Sequence, residues 1–238
     1  MRRRFFVEHF AGNTAVMEGD TAHHLGRVLR AQQGQLYELS DGQRVCLARI
    51  EKVSRDRVDF ALLEEIPAYQ PRVEVTLLLA VVKFDAFEWA IEKATELGVS
   101  TIVPLAASRS EKALLASAGK RAERWKKILA EASQQSRRLR VPTLENLARP
   151  AEALPRQGAA MKILLSERPE APALRQLLAS ATVPSAALAI GPEGGWTDKE
   201  VAAAQNVAFR EASLGKLILR TETAVVAALA ALNFALSD

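Results

Sequence analysis

Two hydrophobic rhythms divide the chain. Over the first seventy residues the apolar positions alternate or run together over strand lengths, at 35–39, 44–50 and 57–63. Asp41-Gly42, between the first two runs, is a hairpin turn signal and implies antiparallel pairing. Ahead of them, Asp20-Thr21 predicts the N-cap of a short helix with Ala22, Leu25, Val28 and Leu29 on one face and His23, Arg27 and Arg30 largely outside. Pro67-Ala-Tyr-Gln-Pro71 breaks the pattern and predicts a linker. A small β-rich domain is therefore expected over 1–70.

From Val73 onward, strand and helix alternate. The nearly unbroken apolar run at 73–82 predicts a strand covered on both faces. Asp85 and Glu88 form a cap-like pair, and Phe87, Ala90, Ile91, Ala94 and Leu97 make a helical stripe that ends at Gly98. A strand at 101–105 precedes helical spacing at Ala122, Trp125, Leu129 and Ala132, with Arg121, Arg124, Lys127 and Arg138 on the polar surface. Further strands are predicted at 162–165 and 186–190. Such alternation argues for a parallel α/β sheet, expected over 71–238. Trp89 and Trp125 fall on apolar stripes and are expected in the core. The closing helix, 224–236, is apolar nearly all round, so it is either deeply buried or an interface between copies.

Composition changes this picture little: 49% hydrophobic and 25% charged residues in 238 are those of a globular protein with one or two domains. No apolar run reaches the length of a bilayer span, and Met1-Arg2-Arg3-Arg4 lacks the apolar stretch of a signal peptide. With Cys46 alone and three histidines, neither an internal disulfide nor a zinc site is expected. A cytoplasmic, metal-free protein is the expectation. Charge distribution says more. Between 109 and 140 there are ten Lys or Arg against three Glu, so this stretch carries +7 of a net +4 and the remainder sums to −3. Such a stretch suits a polyphosphate partner, although a solvated helix face reads the same way when it stands alone. Arg2, Arg3, Arg4, Arg27 and Arg30 suggest a second basic surface.

The candidate chemistry lies further on. After the strand ending at Ile190 comes Gly191-Pro-Glu-Gly-Gly-Trp196, followed by the capping box Thr197-Asp-Lys-Glu200. Beyond the carboxyl end of a parallel strand, such a turn allows close approach of a ligand to the backbone. It lacks the Lys-Ser/Thr of a phosphate-binding loop and does not match G-x-G-x-x-G, so a nucleoside fits better than ATP or NAD. By itself it is equally well a structural turn. Then Ser213-Leu-Gly-Lys-Leu-Ile-Leu-Arg220-Thr-Glu-Thr-Ala224 places a glycine, an apolar run and a charged pair before the apolar helix.

Together these segments resemble one family, the 16S rRNA uridine-N3 methyltransferases (RsmE family) of the SPOUT superfamily. The resemblance extends to 92–98, to Ser108-Arg109-Ser110, to 131–138 with Val141-Pro142, and to 23–30, and so covers nearly the whole chain. It implies a PUA-like β-barrel at 1–70, a C-terminal α/β domain with a deep trefoil knot at 71–238, and a homodimer. It implies an S-adenosylmethionine site in three loops: Leu165, Ser166 and Glu167; Ile190, Gly191, Gly194 and Gly195; Leu214, Gly215, Leu217 and Leu219. Arg220 is the expected catalytic residue, stabilising the uridine anion, with Glu222 or Glu193 as proton acceptor. An Arg220–Glu222 pair that only fixes the helix start is the structural alternative. Arg2, Arg3, Arg4, His23, Arg27, Arg30, Arg109, Arg121, Arg124, Lys127 and Arg138 are expected to contact rRNA, on an assembled small subunit. A non-catalytic RNA-binding assembly factor is the competing reading.

Overall fold

The computed structural model describes residues 3–179 and 182–236. It forms two compact units, Met1–Gln70 with Ser133–Val141, and Pro71–Ala132 with Pro142–Asp238.

The first unit is built on a six-stranded sheet. In chain order its strands are β1 (Arg4–Phe6), β2 (Phe10–Ala11), β3 (Thr14–Glu18), β4 (Leu36–Ser40), β5 (Val45–Val53) and β6 (Arg57–Ile66), arranged β1-β4-β5-β6-β3-β2. The predicted hairpin is the β4–β5 turn, where Asp41 Oδ1 accepts from the Gln43 and Arg44 N–H groups, each at 2.9 Å. Two register shifts in β5 against β6 bend the strand around a core containing Phe5, Leu25, Leu39, Ile50 and Phe60. The short helix α1 (Gly19–His23) runs into a π-helical turn, His24–Val28. That wider winding changes the expected face: Ala22 and Leu25 are fully buried, but Val28 is turned outward and 62% exposed.

A second correction concerns Arg4, expected at an RNA surface. Its side chain is buried, and it donates to Glu38 Oε2 (2.9 and 3.1 Å) and to the carbonyls of Arg137 and Arg138. Arg137 Nη2 lies 3.6 Å from Glu38 Oε1, and Ser40 donates to the Leu139 carbonyl at 2.7 Å. Glu38 thus joins β4 to β1 and to the segment 133–141. A buried carboxylate of this kind needs its cations, so Arg4 is committed to structure.

The second unit contains a wholly parallel sheet, made of β7 (Glu74–Ala80), β8 (Thr101–Leu105), β9 (Thr143–Leu144), β10 (Met161–Leu165), β11 (Ser185–Ile190) and β12 (Arg210–Ala212). Their order is β12-β10-β11-β7-β8-β9. Its helices are α2 (Phe84–Glu96), α3 (Lys112–Gln135), α4 (Pro150–Ala153), α5 (Leu174–Leu178), α6 (Asp198–Asn206) and α7 (Thr221–Leu236). The central strands are buried on both faces, which is why 73–82 and 186–190 read as continuous apolar runs. On α2 the stripe Phe87, Ala90, Ile91 and Ala94 is fully buried, and Trp125 of α3 packs on Phe87 with ring centroids 4.5 Å apart. Trp89 is 44% exposed, contrary to expectation. It stands two residues from Phe87, about 200° around the helix, on the opposite side. Nor do Asp85 and Glu88 cap α2, whose N-cap is Lys83 with no side-chain bond. Glu88 is instead buried beneath α3, bonded to Arg121 (3.3 Å) and Arg124 (2.7 Å). The closing helix α7 buries Val225, Ala228, Leu229 and Leu232, packs against α2, and is pinned by Asn233 donating to the Leu97 carbonyl at 2.8 Å.

The predicted capping box is present at the start of α6. Thr197 Oγ1 accepts from the Glu200 N–H, while Glu200 Oε2 accepts from the Thr197 N–H (2.9 Å) and hydroxyl (2.7 Å). Its other oxygen accepts from the Ser108 N–H at 2.8 Å, so one buried carboxylate fixes both the helix start and the loop after β8. Burial alone would raise the Glu200 pKa, but the hydrogen bonds from Ser108 and Thr197 outweigh it and hold it below the ordinary carboxylate value. A lowered folded pKa stabilises the fold above the unfolded pKa, and this contribution is lost as pH falls through the folded value. Glu200→Gln, which cannot accept all these bonds, should lower unfolding free energy by about 1.5–3 kcal/mol at neutral pH. In urea titrations at several pH values, the gap between wild type and variant should close in acid.

Candidate functional site

The sheet's order brings the carboxyl ends of three adjacent strands, β12, β10 and β11, to one side of the unit. The loops that follow them enclose a cavity of about 420 Å³. All eleven residues expected to bind the donor line it: Leu165, Ser166 and Glu167 after β10, Ile190, Gly191, Gly194 and Gly195 after β11, and Leu214, Gly215, Leu217 and Leu219 after β12. This is where ligands bind in open parallel sheets, because the backbone groups at strand ends are free of ladder partners. The strand β12 was not foreseen in the sequence, since three residues are too few to establish a period.

The glycine turn holds its shape through side chains that reach in from elsewhere. The Trp196 indole N–H donates to the Leu165 carbonyl at 2.9 Å, linking the β11 loop to the end of β10. Its ring lies on Gly191, where a Cβ would come within 3.1 Å of the indole, so a side chain here would press the ring out of place. Gly195, at φ +67°, makes the left-handed step of the turn. Arg109, expected at an RNA surface, donates to the carbonyls of Gly194 (2.6 Å) and Trp196 (3.3 Å) and lines the cavity. From the other side, Thr221 donates to the Gly191 carbonyl at 3.2 Å and ties the start of α7 to the turn.

The lining combines main chain and aliphatic side chains with a charged rim. Leu217 and Ile218 are 82% and 79% exposed, an apolar edge on the β12 loop. Arg109, Arg168 and Lys216 stand against Glu167, Glu193 and Asp198, a balanced set. Sequence reasoning passed over Arg168 and Asp198 as site residues; Asp198 was visible only within the capping box, and Arg168 carried no signal. Such a cavity suits a flat heterocycle with a small polar tail. No group of three or more His, Cys, Asp or Glu that could hold a metal ion occurs among the described residues.

Arg220 and Glu222 flank the residues that line the cavity. Arg220 is exposed between Leu219 and Thr221, and Glu222 is half-buried in the first turn of α7. Among the described residues no ion pair joins their side chains.

The residues expected to meet RNA fall into distinct groups. On the first unit Arg3, Arg27 and Arg30 are exposed, His23 is half-buried, and Arg2 lies outside the described residues. On α3, Lys127 is exposed, whereas Arg121 and Arg124 share Glu88, and Arg121 also lies 4.5 Å over the Phe84 ring. Arg138 donates to the Arg140 carbonyl at 3.1 Å, and burial pulls its pKa down to about 10. Part of the basic excess is therefore consumed by the fold.

Comparison with known proteins gives this geometry a family. Residues 69–233 match the model of an RNA methyltransferase domain, and 18–63 that of an RNA methyltransferase PUA domain. Ribosomal RNA small subunit methyltransferase E of Synechocystis is 34% identical over 89% of this chain and 70% of its own. That of Bacillus subtilis is 32% identical over 93% and 90%. Among solved structures, the Neisseria gonorrhoeae methyltransferase E bound to S-adenosylmethionine superimposes with a TM-score of 0.88, at 29% identity over 99% of this chain and 98% of that one. A Legionella pneumophila methyltransferase in complex with the same cofactor gives 0.89 at 28% identity, over 100% and 99%. No helix among the described residues is long and apolar enough to cross a membrane. With its PUA-like unit, its parallel sheet and the family model matched over 69–233, the chain belongs to the RNA methyltransferase family that includes the ribosomal RNA small subunit methyltransferases E.

Proposed function

We propose that the protein transfers a methyl group from S-adenosylmethionine to N3 of a uridine in 16S rRNA, near the decoding site at its 3′ end. The observation that carries this reading is the cavity at the ends of β10, β11 and β12, which gathers every residue the family resemblance assigns to the donor. The main-chain groups of its loops can meet the adenine edge, and Leu165, Ile190, Leu214 and Leu219 can cover its faces. The donor supplies an already activated methyl group on a sulfonium. What remains for the protein is to align the nucleophile and stabilise charge as it shifts.

Uridine N3 bears a weakly acidic proton and normally faces a pairing partner, so the base is unpaired or extruded before it reacts. Loss of the proton spreads negative charge over N3 and the two carbonyl oxygens. Arg220, exposed beside the cavity lining and always charged, can donate to two of these acceptors at once. Glu222, two residues on, or Glu193, in the lining itself, takes the proton directly or through water. Arg3, His23, Arg27 and Arg30 on the PUA-like unit, with Lys127 and its neighbours on α3, provide the charge that meets phosphates. An assembled small subunit presents such a surface more completely than free RNA, and a ribosomal substrate places the protein in the cytoplasm.

A homodimer completes this reading. Phe234 of α7 is 92% exposed, and with Leu174, Leu178, Ala231 and Ala235 it lines an apolar groove that begins beside Leu214 of the donor loop. A second copy covering this face would remove it from water. The trefoil knot implied by the resemblance fits the same region, where the chain leaves the edge strand β12 and Thr221 joins the glycine turn. A non-catalytic assembly factor is the weaker reading, because it leaves the cavity without a purpose.

Nucleoside mass spectrometry of 16S rRNA should show N3-methyluridine in cells that have the protein and its loss on deletion; an unchanged level in the deletion strain overturns the substrate assignment. Arg220→Ala should lower turnover on purified small subunits by about 10²–10³-fold, the cost of removing one oxyanion donor, while donor affinity changes little. Phe234→Asp should convert a dimer to a monomer in size-exclusion chromatography with light scattering.

A further inference from the structure

One ion pair stands at the cavity in addition to the bonds that hold the glycine turn. Arg168, in the loop after β10, and Asp198, the first residue of α6, both line the cavity, and their side chains are bonded to each other. Arg168 is anchored from behind: its backbone N–H donates to Ser166 Oγ at 3.2 Å, and its Nε lies 3.9 Å from Glu211 Oε1 on β12. That oxygen is buried and has no hydrogen-bond partner, so the guanidinium is its nearest compensation. The two carboxylates differ sharply. Glu211 has an 11% exposed side chain and belongs to the sheet, whereas that of Asp198 is 96% exposed and bound only at the rim.

We infer that Arg168 and Asp198 form the subsite for the amino-acid end of the methyl donor, the guanidinium receiving the α-carboxylate and Asp198 the α-ammonium. The inference rests on the donor-site reading above and deepens it. A zwitterion is matched by an ion pair set against it, and an exposed pair is held weakly enough to open for one. Glu211 keeps the guanidinium in place while Asp198 turns to the incoming ammonium. The three side chains together carry one net negative charge, which complements a donor whose sulfonium leaves it with one net positive charge. Of the other charged groups in the lining, Arg109 is committed to the carbonyls of the glycine turn, whereas Arg168 and Asp198 stand side by side and present both signs to a zwitterion.

The test compares two ligands that share the adenosine thioether. S-adenosylhomocysteine carries the amino-acid end; 5′-methylthioadenosine lacks it. In isothermal titration calorimetry the full-length wild-type protein should prefer the first. Arg168→Ala and the near-isosteric Asp198→Asn should each reduce that preference by about tenfold, with the affinity for 5′-methylthioadenosine held within about twofold. Retained binding of 5′-methylthioadenosine also shows that the variants keep their fold. Equal weakening of both ligands, or an unchanged preference, would overturn the subsite. Failure of wild type to bind either ligand would overturn the donor site itself.

Discussion

The indole of Trp196 lies against Gly191 with its N–H bonded to the Leu165 carbonyl, and the rest of the site is arranged around that contact. The bond spans two adjacent strands at their carboxyl ends, so it fixes the β11 loop against the β10 loop where the cavity begins. A glycine at 191 suits this contact, since a Cβ there would press on the ring. Around it the turn is held on three sides: Arg109 takes the carbonyls of Gly194 and Trp196, Thr221 bonds the carbonyl of Gly191, and Glu200 anchors the helix that follows. A loop rich in glycine would otherwise lose conformational entropy on ordering. Here its shape is imposed from outside.

What could be read in the sequence followed from strong local signals. The continuous apolar runs gave β7 and β11, Asp41-Gly42 gave the β4–β5 turn, and Thr197 with Glu200 gave the capping box, because each depends on residues close in the chain. The donor loops were legible only as a pattern: the glycine turn at 191–196 and the segment 213–224 are apart in the chain, and what joins them is the order of the sheet. Where the reading failed, a long-range partner or an unusual winding had intervened. Glu88 looked like a cap because it lies near the start of α2, but Arg121 and Arg124 hold it from more than thirty residues away. Val28 looked like a core position under a 3.6-residue period, and the π turn moved it out.

The arginines illustrate why charge counting overestimates a nucleic-acid surface. The stretch 109–140 has ten basic residues, yet Arg109 serves the glycine turn, Arg121 and Arg124 neutralise a buried glutamate from outside the stretch, and Arg137 contributes to the Glu38 cluster. Arginine suits such work because its planar fork satisfies carbonyls and carboxylates in several directions while remaining charged. Exposed lysines and arginines left over from this work, Lys127 on α3 and Arg27 and Arg30 beside the π turn, are better candidates for phosphate contact than the sum suggests.

A site of this design also separates binding from catalysis. The donor and its demethylated product share the adenosine and the amino-acid end, so main-chain contacts and the Arg168–Asp198 pair would grip both to a similar degree. Interactions of equal strength before and after transfer set occupancy but do not lower the barrier. In the proposed reaction, acceleration is assigned instead to Arg220, which stands between the lining residues Leu219 and Thr221 and would meet the charge that develops on the base. The proposed division matches the placement of the two arginines: Arg168 is anchored between carboxylates at the rim, whereas Arg220 is exposed.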